Sequence, residues 1–105
     1  MKKPNIIERL INGYQYYYVV RFNIVYDYDK GNWVYNESVI NGSEPTYGGI
    51  VDALISFKYP ADKMQAVINN YLLDPKDPVI IQEFEEMQAW RKYSKEYAKE
   101  VMSNY

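Results

Sequence analysis

From Tyr14 to Tyr28 every second residue, Tyr14, Tyr16, Tyr18, Val20, Phe22, Ile24, Tyr26 and Tyr28, is apolar or aromatic. An alternation this long fits an extended strand, whose side chains point to opposite faces in turn, and does not fit a helix, which gathers positions three and four apart. The residues between them, Gln15, Tyr17, Val19, Arg21, Asn23, Val25 and Asp27, are mixed in character. The two faces of the strand are therefore expected to meet different surroundings, and the rest of the chain must be laid against it.

Two turns bound this strand. Asn12-Gly13 is the strongest two-residue hairpin signal, because a type I′ turn needs positive φ at both central positions. With those two residues at its centre, Ile11 would face Tyr14, Arg9 would face Tyr16 and Ile7 would face Tyr18. Ile6, Ile7, Leu10 and Ile11 also fit the stripe of a short helix ending at Gly13, so Asn5 to Ile11 reads as strand or helix, with the hairpin favoured. On the other side, Asp29-Lys30-Gly31-Asn32 is a turn by composition, and Trp33 to Ile40 reads as the returning strand. Pairing Tyr28 with Trp33 sets Tyr26 against Tyr35, Ile24 against Glu37 and Phe22 against Val39. The other face would then pair Asp27 with Val34, Val25 with Asn36, Asn23 with Ser38 and Arg21 with Ile40.

After the Asn41 to Pro45 linker, Thr46 can cap a helix to about Tyr59, which Pro60 ends; Gly48-Gly49 weakens its first turn. Met64, Val67, Ile68, Tyr71 and Leu72 form one stripe of a helix over about 61–73. Asp77 and Pro78 suit the cap and first position of a long helix to about Met102, with Ile80, Phe84, Met87, Trp90, Tyr97 and Val101 facing inward. Its glutamates lie towards the start and its basic residues towards the end, which favours the helix dipole. The expected fold class is α+β: an antiparallel two- or three-stranded β-meander followed by three α-helices packed on one face of the sheet. The 105 residues are expected to form a single domain, with the meander in 1–41 and the helices in 46–103.

Composition then limits the chemistry. The chain has no Cys and no His, which removes thiolate sites, disulfides, the commonest general base and the Ser-His-Asp arrangement. It is expected not to be an enzyme and to need no cofactor or metal. A net charge of −2 supplies no field towards phosphate or anionic lipid, and no apolar run approaches the ~20 residues that cross a bilayer. The expected address is cytoplasmic, with no membrane partner and with nucleic acid disfavoured. Tyrosine is the anomaly: 13 Tyr stand beside 3 Phe and 2 Trp, a preference for rings with one apolar and one wet end.

The alternating tyrosines could stack the bases of a single strand, aided by Arg91, Lys92, Lys95 and Lys99 on the last helix, yet Arg21 is the sole cation between Tyr14 and Tyr28 and core packing explains the rings without a ligand. Asp27 to Asn32 has a faint likeness to a calcium loop, but position twelve is Ser38 where a bidentate Glu is needed. A carboxylate-based hydrolase would need a pocket at Glu37 or Asp52, and Glu37 beside Ile24 on the aromatic face would have a raised pKa. The most suggestive feature is the second sheet face, where Tyr17, Val19, Val25, Val34 and Ile40 would form an uncovered apolar stripe. The expected function is a non-enzymatic protein-interaction or assembly module, self-associating as a homo-oligomer or meeting a protein partner through those five residues.

Overall fold

The computed structural model describes residues 2–105. It contains β1 (Ile7–Asn12), β2 (Gln15–Asp27), β3 (Asn32–Ile40), α1 (Tyr47–Lys58), α2 (Ala61–Leu73) and α3 (Pro78–Ser103). The strands form one antiparallel sheet in the order β1-β2-β3, and the three helices follow, so the fold is α+β. The chain divides into two compact units, Met1–Ala53 and Leu54–Tyr105. The division falls inside α1, later than the strand-to-helix junction at 41–46.

In the first unit the hairpin keeps a two-residue turn, but the turn lies one residue later than expected. Asn12 pairs with Gln15, so Gly13 and Tyr14 are the central residues, and Ile11, Arg9 and Ile7 lie opposite Tyr16, Tyr18 and Val20. Gly13 alone takes positive φ, at 65°, which suits a turn of the II′ kind; a type I′ centre would have required it of both residues. The register moves by two residues and each side chain keeps its face.

The second hairpin changes more. Asp27 accepts hydrogen bonds through Oδ1 from the Asp29 and Lys30 amides at 3.0 and 3.1 Å, and the Gly31 amide donates to its carbonyl at 2.8 Å. The turn therefore closes on Asp27 paired with Asn32, with Tyr26 against Trp33 and Val25 against Val34. Beyond Val25 the register shifts, and Phe22 faces Asn36, Arg21 faces Glu37, Val20 faces Ser38, Val19 faces Val39 and Tyr18 faces Ile40. Asn23 takes φ 53° and donates through Nδ2 to Asn36 Oδ1 at 2.9 Å. One extra residue is absorbed at this β-bulge, and alternation reverses across it.

The face bearing Val20 and Phe22 receives the first half of α1. Ser38 Oγ donates to the Ala53 carbonyl at 2.8 Å, and a Cβ placed on Gly49 would lie 3.1 Å from Ile40 Cγ2, a close approach that glycine permits. Thr46 Oγ1 accepts from the Gly49 amide at 3.0 Å, so the helix starts at Tyr47 despite its two glycines. Val20, Phe22, Ile40, Ile50 and Ala53 are buried.

In the second unit Tyr59, Val67 and Met87 are the buried centre, with Ile55, Met64, Ile68, Phe84 and Trp90 packed around them. The Trp90 indole donates to the Leu54 carbonyl at 2.8 Å, and Tyr71 stacks on Phe84 at 4.1 Å. Asp77 caps α3 by accepting from the Val79 and Ile80 amides at 2.9 and 3.4 Å. Leu72 departs from its expected stripe and is exposed, whereas Ala98, left out of the expected stripe, and the polar Ser94 are buried. Ser94 satisfies its hydroxyl on the Trp90 carbonyl at 2.8 Å. The first turn of α3 holds no acid and its last turn no base, so at its N-terminus the dipole is met by the capping Asp77 carboxylate and not by the glutamates further along.

Trp90, Tyr93 and Tyr97 form a ladder along α3, with ring centroids 5.0 and 5.7 Å apart. Burial, followed by the neighbouring Tyr93 and Glu100, pushes the Tyr97 phenol up to about 12. A raised phenol favours the protonated folded state, so its contribution is complete below the ordinary tyrosine pKa of about 10 and is lost as pH rises through about 12. Because the ring is only partly buried, the expected loss is on the order of 1 kcal/mol. Urea unfolding at pH 9 and 11.5 should show a smaller alkaline loss in Tyr97→Phe than in the parent; equal losses would contradict the assignment.

Candidate interaction site

Arg21 organises the sheet face opposite the one that receives α1. The guanidinium donates from Nε to Glu37 Oε2 at 2.9 Å and from Nη1 to the Asn5 carbonyl at 3.2 Å, pairs with Glu8 through Nη1, and lies 5.0 Å from the Tyr35 ring centroid. Its side chain is 8% exposed against 40% for Glu8 and 37% for Glu37. One buried cation on the middle strand thus joins carboxylates from both outer strands. Burial acts to lower its pKa, but the hydrogen bonds to Glu37 and Glu8 outweigh it and hold the guanidinium above its ordinary value. The aromatic position expected for Glu37 beside Ile24 is not realised, because the turn and the bulge carry Glu37 to Arg21 on the other face.

The same bulge separates the five interface candidates. Tyr17 and Val19 share the Arg21 face, while Val25, Val34 and Ile40 lie on the Phe22 face, since Val25 pairs with Val34 and Ile40 continues the even positions of β3. Val19 is 1% exposed and Ile40 2%, whereas Val25 is 56% exposed. They do not form one stripe. What the Arg21 face presents is Val39 at 53% and Tyr35 at 40%, next to an aromatic group in which Tyr26 meets Trp33 at 5.3 Å and Tyr28 at 4.9 Å. Asn23 was the signal for this arrangement: Asn is depleted in strands and is the commonest residue after Gly with positive φ, so its place inside an apolar strand marks a bulge.

Both outer strands have an edge. β1 is six residues long and includes Glu8 and Arg9; β3 is nine residues long, has no Pro, and its one charge, Glu37, is held by Arg21. Elsewhere, the Asp27 carboxylate serves its own turn, and among the described residues no three His, Cys, Asp or Glu side chains gather as metal ligands. Arg9 lies 4.2 Å over the Tyr16 ring, and Arg91 donates to Gln88 Oε1 at 3.0 Å. No helix is long and apolar enough to cross a membrane among the described residues. Comparison with protein-family models, curated proteins and solved structures finds no match.

Proposed function

We propose that the chain is a non-enzymatic assembly module whose partner is a second copy of itself, joined through the β3 edge and the Arg21 face beside it. The observation that carries this reading is the state of β3: a nine-residue outer strand with none of the devices, such as Pro, an edge bulge or a free charge, by which proteins blunt an edge. Tyr35 and Val39 add apolar area next to it. A strand can pair antiparallel with its own copy about a two-fold axis, which satisfies both edges with one kind of contact. With that axis at Asn36, Tyr35 faces Glu37 of the copy, Val34 faces Ser38 and Trp33 faces Val39, so no like charges meet.

Light scattering during size-exclusion chromatography should give twice the 12.5 kDa chain mass. Val39→Lys, on the proposed surface, should return the mass to one chain, while Val25→Lys on the opposite face should leave it doubled. A single-chain mass at the highest soluble concentration, or a doubled mass that survives Val39→Lys, would reject the reading.

A further inference from the structure

The second unit contains a cleft of about 280 Å³ lined by Tyr59, Lys63, Val67, Glu83 and Glu86. Lys63 and Val67 are one turn apart on α2, Glu83 and Glu86 are one turn apart on α3, and Tyr59 is 6% exposed. The Tyr59 ring is held, with Lys63 Nζ 5.1 Å from its centroid, yet its hydroxyl meets no hydrogen-bonding group of the described residues. Burial first, then Glu86 and Glu83, raise the phenol pKa, so both carboxylates bear on the same group. Glu86 accepts only from the neutral Gln82 amide, at 3.1 Å, and neither glutamate forms an ion pair with Lys63. The cleft thus has an apolar wall of Val67 and the Tyr59 ring, one cation, Lys63, held over that ring, and three acceptor groups, the two carboxylates and the phenol, that form no ion pair with it.

Three acceptors around an apolar wall match one kind of group: a primary ammonium offers three donors on a carbon stem. Among the described residues no three His, Cys, Asp or Glu side chains gather here as metal ligands. We propose that this cleft binds an aliphatic ammonium of the diamine class, its nitrogen between Glu83, Glu86 and the Tyr59 oxygen and its methylenes along Val67 and the Tyr59 ring. The site is independent of the self-association reading, since it uses no residue of the sheet.

Calorimetric titration of the full chain with 1,4-diaminobutane at low salt should show saturable binding of one molecule per chain with a dissociation constant on the order of 1 mM. Glu83→Gln, a surface change that keeps shape, should weaken it by about tenfold, and Tyr59→Phe, which keeps the ring, by about threefold. The neutral isostere 1,4-butanediol should give no saturable heat. Absence of saturation by the diamine at roughly twenty times that constant, an equal response to butanediol, or undiminished binding in Glu83→Gln would each overturn the proposal. The wild-type comparison of diamine with diol decides the matter even if a variant fails to fold.

Discussion

Phe22→Ala is expected to destabilise the protein by about 3 to 5 kcal/mol, a large part of the stability of a domain this size. The ring is fully buried on the middle strand, on the face that receives α1, and it is the last paired residue before the bulge. Removing it leaves a cavity that the two flanking strands cannot close without disturbing the register shift, so both lost burial and residual void contribute. Tyr16→Ala, at a half-exposed position of the same strand, should cost less than about 1 kcal/mol. Urea unfolding followed by circular dichroism would show the Phe22→Ala midpoint falling at constant slope. A cost near that of Tyr16→Ala would mean that Phe22 does not sit on the covered face, and the placement of the bulge would fall with it.

Much of this fold is legible in the sequence, for reasons that differ from element to element. α2 over 61–73 could be read because Met64, Val67, Ile68 and Tyr71 repeat at helical spacing and prolines bracket it. The β2 strand could be read because its alternation is long. The hairpin registers could not, because they depend on which residue near each turn takes positive φ: at the first turn Gly13 alone, where Asn12-Gly13 suggested a pair. At the second, Asp27 spends its carboxylate on the turn, which moves the pairing by two residues. Asn23 then adds one more. Period-two reasoning assumes an unbroken pleat, and a single bulge turns every assignment beyond it to the other face. That is why Tyr17 and Val19 parted from Val25, Val34 and Ile40, and why Glu37 reached Arg21. The cleft around Tyr59 was equally out of reach, since Glu83 and Glu86 become its wall only once α2 and α3 are packed.

Glu8→Gln combined with Glu37→Gln is expected to cost about 3 kcal/mol, and each single change about 1 kcal/mol. The asymmetry comes from burial. Either carboxylate alone can neutralise Arg21, and both lie partly in solvent, so losing one leaves the guanidinium with an opposite charge. With both neutralised, a side chain only 8% exposed keeps its charge and loses both of these carboxylates, and a buried cation is far more expensive than a buried neutral group. The double variant should therefore exceed the sum of the singles, a coupling that urea unfolding of the four-member cycle would measure. Arg21→Met separates charge from packing, because it keeps an apolar stem over the middle of the face and frees two carboxylates to water; its expected cost is within about 1.5 kcal/mol. If Arg21→Met costs as much as the double Gln variant, then the guanidinium holds the outer strands through its hydrogen bonds. If it costs little, the clamp fixes which residues face which, as the pairing of Arg21 with Glu37 across β2 and β3 does here, at nearly no net gain in stability.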